Sequence, residues 1–144
     1  MNDPSKESAW PAKLLSVLRM ISAALFIQHG AQKLLGFPAA MPSGPVPFFS
    51  LLGMAGALEL FGGPFLLIGL FTRPVAFLLS GEMAVAYFLM HAAHGFWPIA
   101  NHGELSVLYC FIFLYLAAAG GGPWSVDQMI CRSGRPESRT GRNA

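Results

Sequence analysis

Apolar residues run almost unbroken through four stretches of the chain, at 14–35, 50–71, 75–94 and 104–121. A helix rises about 1.5 Å per residue and the hydrocarbon layer of a bilayer is about 30 Å thick, so about 20 apolar residues cross it. Each stretch has or approaches that length. The pattern predicts an all-α membrane protein: an antiparallel bundle of four transmembrane helices in a single domain over residues 1–144, with a flexible tail from about 128 to 144.

The breaks between the stretches hold residues that end helices. Gly36 opens a segment with Pro38, Pro42, Gly44, Pro45 and Pro47, a composition that forbids continued helix. Thr72-Arg73-Pro74 marks a tight turn, because proline disfavours helix in the residue before it and suits a new helix's first turn. The second and third helices should form a hairpin across it. Phe96, Trp97 and Pro98 suit a membrane interface, and Gly120-Gly121-Gly122-Pro123 must stop the fourth helix. Pro64, inside the second stretch, removes an amide and is expected to kink that helix.

Composition agrees: 54% of the residues are hydrophobic and 11% charged, against about 25% charged in soluble domains. The net charge of +2 is scattered, with no basic stripe interleaved with aromatics, which argues against a nucleic-acid partner. Cys110 and Cys131 are too far apart in sequence to suggest a dithiol site. The first stretch is too long for a secretory signal and contains Arg19, so it reads as a retained helix. Lys6 and Lys13 precede it, Arg73 lies in the tight turn, and Arg132, Arg135, Arg139 and Arg142 follow the last stretch. Residues 36–49 and 95–103 contain no Lys or Arg. That asymmetry places both termini and the tight turn in the cytoplasm, with the protein multi-pass in the plasma membrane.

The chemistry lies in the polar residues inside the apolar stretches: Arg19, His29, Lys33, Glu59, Glu82 and His91. An unpaired charge at mid-membrane costs about 2.5–3.5 kcal/mol, so Arg19, Glu59 and Glu82 together would cost on the order of 10 kcal/mol unless paired, protonated or hydrated. All three remedies require an inward-facing position. Depth measured from the helix ends pairs Arg19 with Glu82, His29 with Glu59, and Lys33 with Glu104. Gln28 and Gln32 share a side of the first helix with His29 and Lys33, and Ala55, Gly56, Gly62 and Gly63 share a side of the second with Glu59. Small residues there allow close helix approach. Gln28, His29, Gln32, Lys33, Glu59, His91 and Glu104 are therefore candidates for ligand binding or proton exchange, Arg19 and Glu82 for an intramembrane ion pair, and Thr72 and Arg73 for an inner-turn motif. His91 and His94 with His102 lack the spacing of a metal or haem site, and none is expected. A purely structural role, as polar glue between helices, is the competing reading of all these groups.

A further set of residues carries a family resemblance: Gly30, Gln32 and Lys33; Glu59, Gly62 and Gly63; Gly69-Leu70-Phe71-Thr72-Arg73; Glu82-Met83 and Ala86; His91; Asn101 and Gly103-Glu104; and Gly120 through Asp127. In order and spacing these resemble the DoxX family of small prokaryotic membrane proteins. Trp124 and Val126 stand where that family often has Tyr and Leu. The resemblance implies a four-helix inner-membrane bundle associated with quinone-linked oxidoreductases, including a thiosulfate:quinone oxidoreductase, and with complexes that handle oxidative and thiol stress.

Two lines converge on a redox-associated subunit that binds a quinone or other small apolar ligand between its helices. A quinone headgroup needs donors for its carbonyls and a group to exchange protons, which His29, Lys33 and Glu59 could supply. Such a protein would sit in the lipid bilayer, receive electrons from a soluble or membrane oxidoreductase partner, and could form a homo-oligomer. It is more naturally a subunit than an enzyme alone. The alternatives are a small proton-coupled transporter using Glu59 and Glu82, and a scaffold for an oxidoreductase.

Overall fold

A computed structural model describes residues 9–133 apart from 43 and 45. Lys6, Pro45, Arg135, Arg139 and Arg142 lie outside the described residues. Within them the chain is helical, without a strand. Helix α1 spans Trp10–Leu35 and α2 spans Leu51–Ile68. Helix α3 spans Thr72–Ala86 and continues through a π turn at Tyr87–His91 and a 3₁₀ turn at Ala92–His94. A short α4 at Pro98–Asn101 leads into α5 at Glu104–Ala119, and α6 occupies Val126–Ser133.

The helix ends have local causes. Gly36 and Gly69 adopt left-handed conformations (φ +67° and +73°) and close α1 and α2 with backbone bonds to the preceding turn. Ser50 caps α2 by accepting the Gly53 amide at 3.0 Å. Helix α2 is continuous through Pro64. The third helix begins at Thr72, three residues before the position expected from hydropathy. The expected tail also differs: residues 126–133 form α6, with Val126, Met129 and Ile130 on one face and Gln128 and Arg132 on another.

Two antiparallel pairs, α1 with α2 and α3 with α5, make the closest associations, and α2 and α3 touch more sparsely. Phe26 of α1 joins the pairs, its ring 5.3 Å from Tyr109 and 4.8 Å from Phe113 of α5. Leu66, Ala76, Leu79, Met83 and Leu116 complete a dry core around it. The polarity is that of a soluble protein turned inside out. Arg19 is 0% and Glu59 1% exposed, whereas Phe61, Phe77 and Phe111 are 66%, 67% and 63% exposed. Water would penalise both facts and lipid neither. Helices α1, α2 and the stretch Thr72–His94 are long and apolar enough to cross a bilayer, and α5 is a shorter apolar helix of 16 residues.

Candidate functional site

Polar groups gather at two levels. At the end of the bundle formed by the α2–α3 turn, the Arg19 guanidinium is enclosed by carbonyls. Its Nε donates to Gly121 at 2.8 Å, one terminal nitrogen to Leu66 and Leu67 at 2.6 and 2.5 Å, and the other to Trp124 at 2.7 Å. The Leu66 and Leu67 carbonyls belong to the last turn of α2, where the helix runs out of its own donors. Asp127 closes the next helix in the same manner. Its two oxygens accept the Phe71 and Thr72 amides, each at 2.8 Å, and so cap α3 from 55 residues away. Phe71 is held left-handed (φ +51°) by this contact and by the turn. Arg73 donates to the Ala118 carbonyl at 2.8 Å and caps the end of α5. Burial pushes the Asp127 carboxyl up, but the Thr72 and Phe71 amides and the Arg19 charge outweigh it and hold the group below its ordinary value of 3.8.

The second level is within the membrane-spanning part. Glycines set its register: a Cβ at Gly30 would lie 2.5 Å from the Leu60 nitrogen, and one at Gly56 would lie 2.9 Å from the Lys33 Cβ. Only residues without side chains allow α1 and α2 this near. Lys33 is thereby level with Gly56, about one turn from Glu59. Its ammonium meets Glu59 Oε1 at 2.5 Å. Glu59 Oε2 and both carboxyl oxygens of Glu82 are buried with no hydrogen-bond partner among the described residues. Glu82 lies within the fields of Glu59 and Lys33. Tyr109 sits near Glu59, and the His29 ring meets the Tyr109 ring edge-on at 6.2 Å. Where α2 and α3 diverge, a groove of about 880 Å³ opens beside this cluster, walled by Leu58, Phe77, Leu78, Val85, Leu89 and other apolar side chains, with Lys33 and Glu82 its charged members.

The expected pairs are redrawn. Arg19 does not meet Glu82, because carbonyls from α2 and from the segment after α5 already occupy its donors. Lys33 pairs with Glu59 instead of Glu104, and His29 faces Tyr109 instead of Glu59. The error lies in levelling the helix ends. Gly56 opposite Lys33 leaves the start of α2 projecting past the end of α1, which brings Glu59 within reach. Gln28 faces outward and donates only to Ala24, at 3.5 Å, Gln32 is half-buried, and Glu104 is exposed at the start of α5. His91 donates to the Asn101 carbonyl at 3.1 Å and helps fold the 95–103 segment, where the Tyr87 hydroxyl also bonds to Phe96. The Thr72–Arg73 turn is a capping device. Tyr109 and Asp127 were missed as site residues, although Asp127 is the only acid between Glu104 and the tail.

A family model described as DoxX matches residues 14–92, more than half of the chain. The protein belongs to the DoxX family. A Haemophilus influenzae protein described as uncharacterized is 45% identical to this DoxX chain over 117 residues, covering 78% of it and 87% of the relative. No solved structure matches. The DoxX match contains Arg19, Lys33, Glu59 and Glu82, while Gly121, Trp124 and Asp127 fall beyond it.

Proposed function

We propose that this DoxX protein crosses a prokaryotic plasma membrane four times, with both termini in the cytoplasm, and acts as a redox-associated subunit that binds a quinone or similar apolar ligand in the α2–α3 groove. The observation that carries this reading is Glu82: a buried carboxyl with both oxygens unpartnered, on the wall of an otherwise apolar groove. Ligand sites commonly measure about 300–1,000 Å³ and combine apolar walls with a few placed polar groups. Unpartnered buried oxygens are costly to keep and therefore point to a missing partner.

A quinone, when bound, supplies two-electron acceptor chemistry at its carbonyls. The residues here supply the rest. Glu82 exchanges a proton or hydrogen bond with a carbonyl oxygen, the Lys33 ammonium favours negative charge beside it, and the apolar walls exclude water. With one ammonium and two carboxyl groups, the cluster is neutral when the carboxyls share one proton, and giving that proton up leaves a single negative charge that favours its return. Electrons arrive from a partner oxidoreductase.

Gly81 provides a clean test. It lines the groove beside Glu82, and a Cβ there would meet nothing within 4 Å. A short-chain benzoquinone titrated into the detergent-purified protein should bind saturably and, at 100 times its Kd, stabilise it by about 2.7 kcal/mol. Gly81→Leu should fold normally and lose that effect. Absence of binding to the unaltered protein, or equal binding by Gly81→Leu, rejects the reading. The proximity of Glu59 to Glu82 favours a second reading, proton-coupled transport, which proteoliposome flux abolished by Glu82→Gln would support.

A further inference from the structure

At the end of the bundle that holds Arg73, a second cavity of about 630 Å³ lies between the α2–α3 turn, the Gly120–Gly122 segment and α6. Arg73 and Arg132 line it, with Thr72 and Asp127. Asp127 is already committed to the Phe71 and Thr72 amides. Arg73 spends one terminal nitrogen on α5 and keeps other donors. Thr72, though at the wall, is 0% exposed and lies out of a ligand's reach. Two guanidinium groups thus line one cavity.

We propose that this cavity holds the phosphate group of an anionic membrane lipid. Guanidinium groups bind phosphate through paired, charge-assisted hydrogen bonds. The lipid source follows from the surroundings. The cavity lies at the ends of apolar, membrane-length helices, and its wall includes Phe71, 60% exposed. Helix α6 borders it and leaves Met129 and Ile130 largely exposed on one face, the pattern of a helix lying in the headgroup layer. Trp124, half exposed just before α6, suits the same depth. Basic pockets between membrane helices are an established mode of headgroup capture.

The test uses the full chain in detergent, analysed by native mass spectrometry with added phosphatidylglycerol or phosphatidylcholine of identical acyl chains. Phosphatidylglycerol should be retained at least about tenfold more strongly, since both lipids carry the phosphodiester charge but the choline ammonium of phosphatidylcholine would sit beside Arg73 and Arg132 and be repelled by them. Arg132→Gln, on an exposed helix face, should reduce that preference several-fold without lowering the melting temperature. Equal retention of the two lipids overturns the proposal, as does a preference untouched by Arg132→Gln. Displacement of phosphatidylglycerol by millimolar inorganic phosphate would assign the cavity to a soluble anion and overturn the lipid source.

Discussion

Arg19 and Glu82 are both ionisable side chains inside apolar helices, and they have opposite surroundings. The Arg19 guanidinium donates to four carbonyls and ties α1, the end of α2 and the segment before α6 into one knot. The Glu82 carboxyl, beside the groove, accepts nothing from the described residues. A buried polar group that is fully partnered rigidifies a fold, and one left unpartnered costs free energy that packing does not repay. The contrast separates two surroundings that sequence alone leaves merged: carbonyls enclose the Arg19 guanidinium at the turn end, and the Glu82 carboxyl at mid-membrane has no partner among the described residues.

The largest expected effect is at the knot. Arg19→Met removes all four bonds and strands buried carbonyls, each worth about 1–3 kcal/mol. The variant should fail to accumulate in membranes, or melt far below the unaltered protein in detergent. Melting close to the original temperature would dissolve the distinction between the levels. Next comes Glu59→Gln, which removes the carboxylate that the Lys33 ammonium meets and should cost about 3 kcal/mol. Replacing the pair together, Lys33→Met with Glu59→Leu, should recover most of that loss in chemical denaturation, because removing both charges avoids the stranded one.

Asp127 gives a smaller effect with a defined pH dependence. Because its folded pKa lies below 3.8, its stabilising contribution is complete above that pH and fades as pH falls through the folded value. Asp127→Ala should cost about 1 kcal/mol at neutral pH, the usual worth of a helix cap. Melting curves of the two proteins should converge in acid. A gap that stays constant down to pH 2 would mean that the cap acts through shape and not through charge.

Much of this architecture was legible in the chain. Gly36 and the glycines at 120–122 stop helices where the sequence places the stops, whereas Gly69 closes α2 before its apolar run ends at 71. The apolar runs give three membrane-length helices and the shorter α5 to within a few residues. Gly30 and Gly56 are visible as small residues near Lys33 and Glu59, but register cannot be read from them singly. The stagger they impose is set by which backbone atoms touch, and hydropathy does not report it. Arg19 was misassigned for a different reason. Its partners are main-chain carbonyls, which every residue has, so no side-chain pattern announces them. The segment from Gly120 to Asp127 reads as a stop followed by a tail because glycine and proline forbid helix, although the same residues fold back to receive Arg19 and cap α3. The groove beside Glu82 arises from the divergence of α2 and α3, a property of their relative placement that neither helix encodes alone.

Glu82→Gln is the most direct measurement. The substitution preserves shape and removes a carboxyl on which no hydrogen bond depends, so the melting temperature should shift by little, corresponding to less than about 1 kcal/mol. Saturable benzoquinone binding in the same samples should be lost. A variant that melts many degrees lower while binding benzoquinone as before would show that Glu82 serves the fold and not a ligand, contradicting the division between the two levels.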